Sequence, residues 1–357
     1  MKRVIKMSEK FLIGTYTHSK SEGIYELELN SESKKLENLK LVAKAGNPTY
    51  VALSKKNRIY SVDKVFNAGG QKGNVKGGVL ALDFNAKPAK PINSIIKENT
   101  NPAYITVDEK RQFVYTANYH TGQVRVYQIE NNGSLKYLDE VVHQGSVGPR
   151  PEQQDGAHPH FADLTPDGRL VVVDLGQDRV YLYDISDNGQ LSEVSHLQMP
   201  AGYGPRHIVF DAKKHVAYLA GELSSNVASL KYDASNGQFS IQQIVKTIPK
   251  EWESHNGAAA IRLSADGKFV YVSNRGNNSL AVFETSSDGH LKLIQYVSTD
   301  GDFPRDFNFA DHEKFIITLN QNTNNATLYE RNQSTGKLTI VQRDFYVPEG
   351  VCVYPED

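Results

Sequence analysis

Six stretches of this chain share one plan. They read NPTYVALSKKNRIYSVDK from Asn47, NPAYITVDEKRQFVYTANYHTGQVRVYQIENNGSL from Asn101 and HPHFADLTPDGRLVVVDLGQDRVYLYDISDNGQL from His158. Then follow GPRHIVFDAKKHVAYLAGELSSNVASLKYDASNGQF from Gly204, NGAAAIRLSADGKFVYVSNRGNNSLAVFETSSDGHL from Asn256 and FPRDFNFADHEKFIITLNQNTNNATLYERNQSTGKL from Phe303. Each holds a short apolar run, a polar turn, a second run, an Asn/Gly/Ser loop, a third run and another turn. The starts lie roughly 45 to 57 residues apart, the spacing of propeller blades.

The runs are rich in Val, Ile, Tyr, Phe and Leu, often alternate, and are bounded by turn residues at hairpin spacing. No segment keeps a helical period with caps. The chain is therefore expected to be all-β, built of four-stranded units whose strands we call A to D from the axis outward. In the Gly204 unit they are expected near 207–211, 216–221, 227–232 and 239–246. The ends supply a seventh unit. KFLIGTYTHSKSEGIYELELN reads as strands B and C, LENLKLVAK as D, and the tail PEGVCVYPED as the missing A. Pairing the two ends in one blade closes the ring and removes open sheet edges. The expectation is a seven-bladed β-propeller, one domain over 1–357. Two inserts break the rhythm, a Gly-rich one at 66–77 and one at 145–157, and long loops on a rigid scaffold commonly carry function.

Composition narrows the partners. The 40 basic and 41 acidic residues leave a net charge of -1, and no basic run offers a footprint for nucleic acid. No stretch approaches about 18 apolar residues, so no membrane span is expected. The start, MKRVIKMSEK, leads into no apolar run, so no signal peptide is expected. The single cysteine, Cys352, cannot form an internal disulfide, which fits a reducing, cytoplasmic setting. Its plain reading is a small buried strand residue.

Strands A and B are antiparallel neighbours, so the start of A and the end of B share one face. Strand A lines the axis, and these positions crowd one mouth of the channel. At A-starts stand His158, His160, Arg206, His207, Asn256 and Arg305; at B-ends stand Tyr16, Asn118, Tyr119, Glu222, Asn274, Arg275 and Asn320. A scaffold needs none of these side chains at its axis. Three arginines, histidines and a glutamate in one funnel point to an anionic ligand and acid–base chemistry. Arginine offers a planar fork suited to carboxylate or phosphate.

Each residue also has a plainer reading. Arg206 and Arg305 could bridge blades, and Glu222 could partner an arginine. Asn118 and Asn274 stand where tight turns favour asparagine. His160 is taken as the inward histidine, with His158 holding the loop. His207 follows Arg206 by one residue, so on a regular strand their side chains diverge. G-x-S-x-G, HExxH, P-loop and EF-hand patterns are absent, and the glycines between 69 and 78 follow no βαβ pattern. His158 and His160 have no third metal ligand at a useful spacing. The GH…WD signature of common interaction propellers is absent, though an interaction platform is the alternative of another class.

The set IGTYT, NPTYVALS, NPAYITVD, VYTANYHTGQVRVY, HPHFADLTPDGRLVVVDLGQDRV, GYGPRHIVF, GEL, YVSNRGNNSLAVF and FPRDFNF resembles, in this order, the propeller-type lactonase family. Its founding activity is 6-phosphogluconolactonase, and the fungal carboxymuconate lactonizing enzyme is a relative. The resemblance implies His160, Glu222, Arg206 and Arg275 as catalytic residues. It implies Arg305 on the substrate side, where His158, Asn118, Tyr119, Asn274 and Tyr16 are also expected from their place at the same mouth. The insert GPRPEQQDGAHPH resembles one that carries an Arg-Gln pair in the family, where this chain has Gln153 and Gln154. The implied reaction is hydrolysis of 6-phospho-D-glucono-1,5-lactone by water, with His160 or Glu222 as base and an arginine on the oxyanion. Another lactone, or a cycloisomerase reaction, would use the same residues. The partner is a small anionic lactone. No metal or organic cofactor is implied, since a lactone is already electrophilic.

Overall fold

The computed structural model describes residues 8–66 and 75–356. Seven antiparallel four-stranded sheets form the ring. The innermost strands are Val51–Leu53, Tyr104–Asp108, Pro159–Leu164, Pro205–Asp211, Gly257–Leu263, Pro304–Ala310 and Gly350–Pro355. They touch one another in that order and close on themselves. In the Gly204 blade the strands are Pro205–Asp211, Val216–Gly221, Asn226–Asp233 and Gln238–Lys246, within two residues of the expected spans.

Burial follows position in the blade. Most of the second strands, Leu170–Asp174 and Phe315–Asn320 among them, are buried along their whole length. They are covered by the sheets on both sides, so they read as largely apolar runs. The outermost strands, such as Leu191–Gln198, alternate and face solvent. Buried tyrosines tie blade to blade: Tyr60 donates to the Gly133 carbonyl at 3.1 Å and Tyr271 to that of Gly336 at 2.7 Å. Both glycines are left-handed turn residues of the following blade, with φ of 89° and 71°.

The closing blade pairs the chain ends as expected. Gly350–Pro355 lies inside Ser8–Thr15, with Ile13 opposite Val353. A carboxylate locks this closure. Glu349, just before the closing strand, accepts backbone N–H groups from His18, Ser19, Lys20 and Ser21 at 2.9 to 3.1 Å. Burial works to raise its pKa, but these four donors hold it below the usual range. Glu349→Ala is therefore expected to destabilise the protein by about 1.5–3 kcal/mol, the scale of hydrogen bonds to a charged group. Because the folded pKa is depressed, the contribution is full above the unfolded value near about 4.3 and fades as pH falls through the folded value. Thermal melts of both proteins at neutral and acid pH check this.

Of the two inserts, most of 66–77 lies outside the described residues. The other carries a 3-10 turn, Pro151–Gln153, and leads into Pro159–Leu164.

Candidate active site

One backbone device builds the site three times. Pro159 pairs with Asp174 and Phe161 with Val173, which leaves His160 unmatched. Pro205 pairs with Gly221 and His207 with Ala220, which leaves Arg206 unmatched. Pro304 pairs with Asn320 and Asp306 with Leu319, which leaves Arg305 unmatched. In each case the residue after a strand-opening proline is the extra residue of a β-bulge, which re-aims its side chain. Proline is tolerated there because the first strand residue need not donate to the ladder.

The bulge overturns the expected divergence of Arg206 and His207. Both point into the channel, with Arg206 Nη1 at 3.3 Å from His207 Nε2. His207 is wedged among Tyr50, Tyr104, His160 and Phe161, ring centroids 5.2 to 6.2 Å away, and plugs the channel beneath the site.

Above the plug lies a cavity of ≈ 310 Å³ lined by Tyr16, Tyr119, His160, Glu222, Arg275 and Arg305, among others. A second lobe of ≈ 240 Å³ shares Glu222 and Arg275 and adds Arg150, His255, Asn256 and Phe303. Glu222 Oε2 lies 2.9 Å from Arg206 Nε and 2.8 Å from Arg275 Nη2. The contact to Arg206 runs off the N–H direction and is an ion pair only. Arg275 also donates to the Gly257 carbonyl at 3.2 Å. Arg305, half-buried, makes no ion pair or hydrogen bond among the described residues; its guanidinium lies 5.7 Å from the Tyr16 ring.

One carboxylate thus faces three guanidiniums. Burial works to raise the Glu222 pKa, but Arg275, Arg206 and Arg305 outweigh it and hold the group ionised. Burial, with Arg275 and Arg305 as neighbours, pushes Arg206 down to about 9. Burial also lowers Arg275. His160 is buried, and burial plus the three guanidiniums hold its pKa well below 6.5, so its imidazole is neutral. Its Nδ1 is sealed off with no hydrogen-bond partner among the described residues, which leaves Nε2 to meet the cavity. Burial, then Glu222 and Asp155, raise the Tyr119 phenol, so its hydroxyl stays protonated.

A family description, Lactonase, 7-bladed beta-propeller, matches residues 10–355. The chain belongs to this lactonase family. It is 43% identical to a 6-phosphogluconolactonase of Bacillus subtilis (strain 168), with 96% of each chain covered. A crystal structure of a Lactobacillus plantarum protein superposes with a TM-score of 0.93 at 54% identity, covering 98% of this chain and 99% of that one. The structure of a periplasmic gluconolactonase of Pseudomonas aeruginosa superposes with a TM-score of 0.89 at 28% identity, with the same coverage. The chain is accordingly an enzyme of the lactonase type, and lactonase relatives imply a small lactone as substrate. Among the described residues no helix is long and apolar enough to cross a membrane.

Within this lactonase, the expected site residues divide. His160, Glu222, Arg275, Arg305, Tyr16 and Tyr119 line the cavity, and Arg206 stands directly behind Glu222. His158, Asn118 and Asn274, expected on the substrate side, do not line it. Both His158 ring nitrogens are engaged, Nδ1 with the Tyr119 carbonyl at 2.6 Å and Nε2 with Asp155 at 2.8 Å, and its ring stacks on Tyr119 at 4.2 Å. It clamps the loop that presents Tyr119. Asn118 accepts from the His120 N–H at 3.1 Å, a turn contact. Asn274 is buried, donating to the Thr247 carbonyl and accepting from the Thr247 hydroxyl.

The 145–157 insert differs from its resemblance too. Gln153 is a buried strut, donating to the Leu175 carbonyl at 2.7 Å and to Asp178 at 2.9 Å. The arginine of the insert that reaches the site is Arg150, which lines the second lobe. The pattern GPRPEQQ contained that arginine, but only the loop geometry aims it inward.

Proposed function

We propose that this lactonase hydrolyses 6-phospho-D-glucono-1,5-lactone to 6-phosphogluconate. The observation that carries the reading is the excess of guanidinium over carboxylate around a neutral histidine. Such a cavity selects an anion and supplies an uncharged base beside it. The 6-phosphogluconolactonase relative from B. subtilis supports the choice of lactone.

In this mechanism the lactone carbonyl faces Arg275 and His160 Nε2 faces a water molecule. Nε2 takes a proton as the water oxygen bonds to the carbonyl carbon. The carbonyl π electrons move to oxygen, and the developing oxyanion is met by Arg275. The tetrahedral intermediate then collapses, the ring C–O bond breaks, and the imidazolium returns its proton to the departing ring oxygen. Glu222 holds Arg206 and Arg275 in place, and Arg305, which makes no ion pair among the described residues, holds the phosphoryl group.

Two tests separate these assignments. The first compares kcat/KM for the phosphorylated lactone and for unphosphorylated glucono-1,5-lactone. Wild type is expected to prefer the phosphorylated substrate. Arg305→Ala is expected to lower that preference by about 10- to 100-fold, the worth of one charge-assisted contact. Equal rates on both lactones in wild type would instead favour a plain gluconolactonase.

The second is pH dependence. In the free enzyme burial, and then the field of three guanidiniums, depress His160, so the neutral base survives well below pH 6.5. A bound anionic substrate offsets that field and raises the group. The acid limb of kcat/KM is expected well below 6.5, and that of kcat at higher pH. Coincident limbs near 6.5 would remove His160 from the role. A cytoplasmic location belongs to the same proposal, and cell fractionation tests it.

A further inference from the structure

We propose that Phe303 is a positioning residue for the reaction, its ring fixing the Arg275 guanidinium at the lactone. The inference rests on the lactonase mechanism proposed above.

The starting observation is a bulky aromatic residue held in left-handed backbone directly before a proline. In three blades a proline is preceded by a residue of positive φ: Pro205 and Pro304 open their inner strands, and Pro48 stands just before Val51–Leu53. The preceding residues are Asn47 at 42°, Gly204 at 58° and Phe303 at 68°. Left-handed backbone is open to glycine and tolerated by asparagine. It is a genuine outlier for a bulky residue, and a following proline restricts the residue before it further. Two of the blades that open on a bulged proline thus place a left-handed residue before it, glycine in one case and phenylalanine in the other. A residue kept in a costly conformation points to its side chain as the reason.

The ring has a definite task available. Arg275 lies with its guanidinium carbon 5.1 Å from the Phe303 centroid, within cation–π range. Its Nη2 contacts Glu222, and its Nε donates to Gly257. Glu222, Gly257 and the Phe303 ring together bound one guanidinium in the second lobe.

The strain is also held from the turn that follows Arg275. Asn278 Oδ1 accepts from the N–H of Gly276 at 3.1 Å and from the N–H of Phe303 at 3.0 Å. Asn278 Nδ2 donates to Asp302 at 2.8 Å. One asparagine thus couples the end of the Arg275 strand to the strained residue.

The test uses Phe303→Leu, Phe303→Gly and Phe303→Tyr in the full chain. Leu and Gly are each expected to lower kcat about 10-fold or more with little change in KM, the scale of one desolvated cation–π contact. Tyr is expected to keep wild-type kcat. Gly relieves the backbone, so it is expected to melt higher than Leu while being equally slow. Hydrogen exchange at Arg275 Nε–H, read by NMR, is expected to quicken in Leu and Gly and not in Tyr. Wild-type kcat and exchange in Phe303→Leu would overturn the proposal. So would a loss of kcat in all three that tracks only the loss of folded protein. A wild type inactive on every lactone would sink the mechanism above, while the exchange measurement still decides whether the ring holds Arg275.

Discussion

Replacing His160 by alanine is expected to lower kcat/KM for lactone hydrolysis by about 10²- to 10⁴-fold, the usual worth of a general base. The effect should fall on kcat, because the imidazole acts in the transition state. The fold should survive. His160 Nδ1 is buried without a partner among the described residues, so its removal also removes a desolvated polar group and offsets part of the cavity cost. Near-normal turnover by a variant with a normal melting point would assign the base elsewhere, with Glu222 next in line. Against Glu222 as base stands its engagement: its Oε2 already serves Arg206 and Arg275.

Glu222→Gln carries the second large effect, and here stability moves with activity. The carboxylate is the counter-charge for two buried guanidiniums, with 20% of its side chain still exposed. Removing one partner of a buried ion pair costs about 3–5 kcal/mol, because the remaining charge is left uncompensated. The exposed fraction puts the expectation near about 3 kcal/mol. Arg275 also loses its anchor, so kcat should fall as well. Inorganic phosphate should raise the melting temperature of the variant more than that of wild type, since an anion then replaces the missing charge. A glutamine variant as stable as wild type, with no extra response to phosphate, would mean that the three guanidiniums are not electrostatically coupled through Glu222.

The blades were legible in the sequence because their signals are local. Strands such as Leu170–Asp174 are short apolar runs ended by turn residues, and the chain ends carried complementary parts of one blade. The site was legible where topology alone decides it: A-starts and B-ends share a mouth, which places His160, Glu222, Arg275 and Arg305 together. What alternation could not reveal is a register slip. The bulge after Pro205 turns Arg206 and His207 to the same side, where a regular strand would separate them. Asn118 and Asn274 occupy the right mouth but spend their polar groups on neighbouring backbone. Residue type does not distinguish that use from ligand binding. Arg150 and Phe303 depend on loop conformation, a 3-10 turn in one case and a left-handed backbone in the other. Neither leaves a period in the sequence.

The most direct measurement is the rate of acid release from freshly made 6-phospho-D-glucono-1,5-lactone, followed above the spontaneous rate, for wild type and Arg275→Ala together. The account predicts strong acceleration by wild type and at least a ~100-fold loss in the variant, the scale of one oxyanion contact. No acceleration by wild type, or an undiminished rate in the variant, would contradict it.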